Sequence, residues 1–160
     1  MLARESYRDA MARLTSAVNI VSSDGPAGLA GFTASAVCSV TDHPPTLLVC
    51  VNLSSRQEEL LRINGVLCVN TLAAGQEPVA RAFSTRALAM PERFATADWS
   101  RLVTGAPVLQ GALAVFDCRV VERLERGTHA VLFCEVLAGH AGEGSPLVYF
   151  DRAFRGLATP

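Results

Sequence analysis

From Leu113 to Ala138 the chain alternates with a period of two, and only a β-strand presents such a pattern to a core. Ala114, Phe116, Cys118 and Val120 share one parity, with Asp117, Arg119 and Arg123 on the other. After Gly127, the run Thr128 to Ala138 repeats the device. Ala130, Leu132, Cys134, Val136 and Ala138 form an apolar face, opposite His129, Val131, Phe133, Glu135 and Leu137. Both runs read as half-buried antiparallel strands whose first-named sets face inward. Ala17 to Ser22 and Gly31 to Thr33 flank the turn Asp24-Gly25-Pro26-Ala27-Gly28 and read as a hairpin. Leu47 to Asn52 and Val66 to Thr71 are apolar enough to be strands buried on both faces, and Leu147 to Phe150 closes the series.

Helical signals are few and short. Tyr7, Ala10, Met11 and Leu14 recur at helical spacing after Ser6, which with Asp9 three residues on predicts an N-cap. Ser54 and Ser55 precede Gln57 and Glu58 as overlapping capping boxes, opening a helix that Asn64-Gly65 ends. Gln76 to Phe83 is a further short helix, and residues 84 to 110, with Pro91, Gly105 and Pro107, form an irregular excursion of the kind that carries function. Six or seven strands with short helices predict a mainly β chain closed into an antiparallel barrel.

A length of 160 residues, 50% hydrophobic and 18% charged, suits one domain over 1–160. The net charge of -1 comes from 14 basic and 15 acidic residues without blocks, so neither nucleic acid nor an anionic membrane is the expected partner. No run reaches the roughly 20 apolar residues of a membrane span, and MLARESYRDA lacks a signal core, so a cytoplasmic protein is expected. Cys38, Cys50, Cys68, Cys118 and Cys134 form no CxxC pair and no cluster with His, which argues against a metal site. Each reads as a reduced thiol used as a small core hydrophobe.

The stretch GFTASAVCSVTDHPPTLLVCVN, Gly31 to Asn52, joins two small, hydroxyl-rich turns to an apolar strand through Pro44-Pro45. Such a backbone lies flat against a planar ring. The segment resembles the signature of the short-chain flavin reductases, FMN-binding split barrels that act as the reductase component of two-component monooxygenases, such as the 4-hydroxyphenylacetate monooxygenase reductase. The likeness runs along nearly the whole chain. It implies an antiparallel split β-barrel, and a homodimer with flavin near the subunit interface.

Ser54, Ser55 and Arg56 open a helix directly after a strand, where free N–H groups, hydroxyls and a guanidinium suit a phosphate; helix capping alone would also explain the two serines. The resemblance, in which Asn52-Leu53-Ser54-Ser55 matches a family motif, assigns them to the ribityl phosphate. It places Phe32, Thr33, Ala34 and Ser35 along the isoalloxazine and ribityl chain, and Ser39 and Val40 at the ring's pyrimidine edge. It also implies Phe83 and Ser84 beside the ring, and Tyr149 with Arg152 where the pocket closes. Phe83 equally suits the core, and Tyr149 a barrel wall. His43 between Asp42 and Pro44 reads as structural, and His140 sits in a glycine-rich turn.

His129 is the candidate catalytic residue. It begins a strand on the face opposite the apolar set, and GTHAVLFCEV resembles the family's GDH motif, whose histidine lies by flavin and nicotinamide. Thr128 stands where many relatives carry Asp, which leaves NADH against NADPH open. The resemblance implies non-covalent FMN or FAD, NADH or NADPH as hydride donor, and delivery of reduced flavin to a separate monooxygenase, an aromatic hydroxylase or a pyrimidine-degrading enzyme. No Ser-His-Asp set, Walker loop or GxGxxG competes with this reading. A flavin carrier of the same fold would lack the nicotinamide site, and an oxidase of a small phosphorylated amine would need extra basic residues for a second phosphate.

Overall fold

In the computed structural model, which describes residues 1–157, the period-two runs become the two longest strands. In chain order the elements are α1 (Arg4–Met11), β1 (Ser16–Ala17), β2 (Asn19–Ser23), β3 (Ala30–Ala34), β4 (Val37–Asp42), β5 (Pro45–Asn52), α2 (Arg56–Asn64) and β6 (Val66–Thr71). A 3-10 turn (Ala74–Gln76) leads into α3 (Glu77–Ser84), followed by α4 (Met90–Phe94), β7 (Trp99–Arg101) and β8 (Pro107–Leu109). The chain ends in β9 (Ala114–Arg126), β10 (His129–Ala141), β11 (Leu147–Phe150) and β12 (Ala153–Gly156). Seven strands form one antiparallel sheet in the order β3-β2-β6-β9-β10-β5-β4, and β1-β11-β12 and β7-β8 make two smaller ones. The protein is thus mainly β with short helices. β1, β7, β8 and β12, two to four residues each, are too short to carry a periodic signal.

The sheet is covered on both sides at its centre. Val21, Val49, Leu67, Val69 and Leu132 pack on one side, and Ile20, Cys68, Leu72, Phe83, Val108 and Val115 on the other. The second layer is α3 together with the 84–110 excursion. Polar bonds hold the excursion down: Asn70 Oδ1 accepts from Leu109 N at 2.8 Å, and Ser22 Oγ donates to the Pro107 carbonyl at 2.5 Å. Asn70 Nδ2 also donates to Ser22 Oγ at 2.9 Å, so the buried hydroxyl and amide satisfy each other.

This layer overturns one face of β9. Asp117, expected in solvent, is fully buried, and its carboxylate accepts from Thr104 N at 2.8 Å and from the Thr104 hydroxyl. Phe116, expected in the core, is 36% exposed, while its neighbour Val115 is buried. Alternation identified the two faces but not that the excursion would roof the polar one. On β10 the inward set Ala130, Leu132 and Cys134 is buried as read. Register shifts leave Val121 and Leu137 as extra residues, and both point outward.

Other local expectations shift for identifiable reasons. β5 buries Leu47, Val49 and Val51 but leaves Leu48 and Cys50 half-buried, so it is covered fully on one face only. Helix α1 starts after Ala3 rather than at Ser6 and buries no residue. Ser55 caps α2, its Oγ accepting from Gln57 N at 3.2 Å, and Gly65 ends the helix at φ 68°. The reciprocal half of the capping box is missing because the Glu58 carboxylate instead accepts from Arg123 Nε at 2.7 Å. His140 lies within β10 rather than in a turn.

Three cysteines are core residues as expected, whereas Cys50 is half-buried and Cys38 is exposed on the edge strand β4. Burial pushes the thiols of Cys68 and Cys134 up to about 12, with the Asp117 carboxylate adding to the effect at Cys68. In the unfolded chain both titrate near the ordinary 9.0. The folded state therefore holds more protons between those values, and stability falls as pH rises through that window, by about 1.4 kcal/mol per pH unit per thiol. Urea melts between pH 8.5 and 10.5 should show this fall, with a shallower slope in Cys68→Ala/Cys134→Ala. Maleimide should label Cys38 first in the native protein.

Candidate functional site

The site is organised by where β3 is clamped. Gln57 Oε1 accepts from Gly31 N at 2.8 Å, and the Thr33 hydroxyl donates to the Ala80 carbonyl at 2.6 Å, fastening the strand to α2 and α3. Gly31 packs against Phe83: a Cβ there would stand 2.6 Å from Phe83 Cε1. Phe83 is buried, in an edge-to-face contact with Phe94 at 5.0 Å between ring centres and beside Trp99 at 5.7 Å. It supports the site from beneath rather than lining it.

Three cavities share residues in sequence. The first, about 470 Å³, is bounded by Thr33, Ala34, Ser35, Ser84 and Tyr149. The second, about 250 Å³, continues past the same Thr33, Ala34 and Ser35 to Phe32, Asn52 and Ser55. The third, about 700 Å³, runs from Asn52 and Ser54 to Thr128 and His129. The first and second share Thr33, Ala34 and Ser35, and the second and third share Asn52, so the three adjoin in a groove-like series from the end of β3, past the β5 to α2 turn, to the β9 to β10 turn. Cys50 lines its middle section, contributing packing.

His129 reaches the groove through pairing. It stands opposite Asn52 in the β10 and β5 register, and Leu53 N donates to the Thr128 carbonyl at 3.0 Å. The side chain is exposed, and its Nδ1 lies 2.9 Å from the Thr128 hydroxyl, leaving Nε2 as the ring nitrogen open to the cavity. Thr128, where an acid was the alternative, thus serves as the imidazole's partner.

The hydroxyls of the β5 to α2 turn are already engaged. Asn52 Oδ1 accepts from both Ser54 N at 2.9 Å and Ser54 Oγ at 2.8 Å, while Ser55 caps α2. Arg56 is exposed at the first position of the helix. Ser84 Oγ donates to the Arg81 carbonyl at 3.0 Å. Ser39 and Val40 are exposed on β4 and lie outside these three cavities.

Residues without a sequence signal complete the walls. Arg81 and Phe154 join Arg152 in the first cavity, with the Arg81 guanidinium 5.2 Å over the Phe154 ring and Tyr149 edge-on to that ring at 5.5 Å. Arg152 and Asp151 occupy the left-handed region, at φ 62° and 49°, as the two-residue turn of the β11–β12 hairpin. Arg4, Tyr7 and Arg8 of α1 line the third cavity. Their i, i+3, i+4 spacing places them on one helical stripe, a basic interleaving that an apolar reading of Tyr7 and Met11 overlooks.

Residues 11–158 match the flavin reductase like domain family, to which the chain belongs. It is 56% identical over 161 residues to the FMN reductase (NADH) RutF of Ancylobacter novellus, covering 99% of this chain and 88% of that protein. Its fold is similar to the crystal structure of a putative flavin reductase from Haemophilus somnus, with TM-score 0.94 and 46% identity over 98% of this chain and 100% of that one. It is also similar to BorF, the flavin reductase component of a bacterial two-component tryptophan halogenase, with TM-score 0.91, 30% identity and coverage of 99% and 100%.

The Gly31 contact makes a direct test of the clamp. Gly31→Ala should destabilise the protein by about 1 to 3 kcal/mol through overpacking, lowering Tm by several degrees. Calorimetry should show part of that loss recovered in Gly31→Ala/Phe83→Leu, since the shorter side chain vacates the colliding edge.

Proposed function

We propose that the protein uses NADH to reduce a flavin, FMN foremost, which binds without a covalent bond along the groove and then leaves to serve a separate oxygenase. The observation that carries this reading is the series of adjoining cavities lined by Thr33–Ser35, by Asn52 with Ser54 and Ser55, and by His129. The family membership supports flavin reduction, and the relative named FMN reductase (NADH) supports the choice of NADH and FMN. BorF, a reductase component of a two-component system, supports an oxygenase partner. The sharing of one cavity by β3 and β5, near opposite ends of the seven-strand sheet, supports the split-barrel arrangement.

The groove suits the flavin in its polar and apolar parts. Ala34, Ser35 and the backbone of β3 would face the ring system, and Arg56 with the α2 N-terminus would meet the phosphate. The bound flavin supplies the electron-accepting chemistry. The protein's own task is positioning: His129 Nε2, held by Thr128 at Nδ1, is set to orient the nicotinamide carboxamide. Leu48, Cys50, Val131 and Phe133 are half-buried on one sheet face, paired as Cys50 with Val131 and Leu48 with Phe133, and this apolar patch supports a homodimer. Five free cysteines support a reducing, cytoplasmic setting.

The first test is NADH oxidation followed at 340 nm as a function of added FMN, FAD and riboflavin. Turnover should depend on free flavin, and His129→Ala should lower kcat/KM for NADH roughly tenfold to a hundredfold while flavin affinity, read by fluorescence quenching, stays nearly intact. Flavin binding without NADH oxidation in the wild-type protein would make it a carrier.

A second test concerns the phosphate. Ser55→Ala/Arg56→Ala should weaken FMN far more than riboflavin, because charge-assisted contacts are worth about 1.5 to 3 kcal/mol. The lost cap should also lower stability by about 1 kcal/mol. Equal weakening of both flavins would assign the pair to helix capping alone.

A further inference from the structure

The third cavity, at the His129 end of the groove, is bounded by Arg4, Tyr7 and Arg8 as well as Asn52, Ser54 and Thr128, and no carboxylate lines it. Arg4 and Arg8 form no ion pair among the described residues, and of the arginines without one they are the two that line this cavity. Asp9, one of the two acids of α1, is engaged elsewhere, accepting from Arg152 Nη2 at 2.5 Å, and Glu5 forms no ion pair with Arg4 or Arg8 among the described residues. The helix buries none of its residues and is tied down at its C-terminal end. There Asp151 N donates to the Ala12 carbonyl at 2.8 Å and Arg13 lies 3.6 Å from Asp151. These ties turn one stripe toward the hairpin at Asp151 and the stripe of Arg4, Tyr7 and Arg8 toward the cavity.

Two uncompensated guanidiniums one helical turn apart, a phenol and an open imidazole nitrogen make a site for a dianion with two phosphoryl groups. The proposed phosphate contact for flavin is at Arg56, which does not line this cavity. On the reading of the protein as an NADH-dependent flavin reductase, the ligand left for this cavity is the dinucleotide, whose nicotinamide would lie by His129. We propose that Arg4 and Arg8 bind the diphosphate of the nicotinamide dinucleotide, making α1 a recognition element for the hydride donor. Its solvent-facing position and lack of buried residues then have a use, since the stripe is free to meet a ligand.

The test is Arg4→Gln/Arg8→Gln, which keeps helix propensity and leaves the Asp9 to Arg152 tie in place, with circular dichroism to check the fold. Steady-state kinetics would use NADH and reduced nicotinamide riboside, which lacks both phosphoryl groups, with FMN and riboflavin affinities measured by fluorescence. The expected result is a KM for NADH raised about tenfold to a hundredfold at nearly unchanged kcat, as for removal of uniform binding. The riboside should change by less than threefold, flavin affinities should hold, and Arg4→Lys/Arg8→Lys should recover part of the loss. Loss of FMN but not riboflavin affinity would assign the arginines to the flavin phosphate and overturn the proposal. Equal effects on NADH and the riboside, or no effect on either, would overturn it too. Failure of the underlying reading is seen separately, as wild-type protein that oxidises no NADH in the presence of flavin.

Discussion

The antiparallel pairing of β5 with β10 is the contact on which the site depends. It sets His129 opposite Asn52 and continues through Leu132 and Val49, which are buried together in one core. A slip of one residue would send Ala130, Leu132 and Cys134 outward and turn His129 into that core. The burial of those three side chains therefore fixes the imidazole's side of the sheet. At roughly 25 cal/mol per Å² of apolar surface, each such side chain resists the slip by about 1.5 to 3 kcal/mol or less for the smaller ones. Placement of a polar residue at the groove is thus underwritten by apolar residues that never touch it.

A second constraint acts from the opposite side. β2 and β6 are covered on both faces, so the 84–110 excursion is a structural layer whose buried polar groups are met by Asn70, Ser22 and Asp117. That layer holds Phe94 and Trp99 against Phe83, and Phe83 against Gly31. The line of contact from excursion to β3 ends where Thr33, Ala34 and Ser35 enter two of the cavities. Rigidity at the groove therefore originates in a segment without regular periodicity of its own.

The strands most legible in the sequence were those whose two faces meet different surroundings, β9 and β10, together with the β2–β3 hairpin, whose turn residues punctuate it. Gly65 and Ser55 were legible as helix ends because caps are local chemistry. What periodicity could not convey was which nonlocal element covers a face. Asp117 lies on a polar parity yet is buried by Thr104, and Tyr7 lies on an apolar parity yet is exposed. The packing of Gly31 on Phe83 is equally nonlocal, since the two lie on β3 and α3. Ser39 and Val40 shared a contiguous segment with Thr33, but the strand geometry of β4 carries them away from the cavities that Thr33 lines.

The hydrogen bonds of the groove separate two kinds of polar residue. Thr33, Ser54, Ser55 and Ser84 all spend a hydroxyl on the protein's own backbone or side chains, at distances between 2.6 and 3.2 Å. Thr33, Ser54 and Ser84 use their O–H internally and keep only acceptor sites, whereas Ser55, which accepts, keeps its O–H for a ligand. Cationic and aromatic groups are open as well: Arg4 and Arg8 on α1 and the His129 imidazole in the third cavity, and Arg56 exposed at the turn outside the cavities. On the proposed reading, a flavin held by shape and by a few exposed charges pays little to depart, because screened, solvent-facing contacts are individually weak. A reductase that must hand its product to another protein needs that weakness, whereas orientation at the moment of transfer needs rigid walls. The structure divides these tasks between buried apolar support and exposed charge.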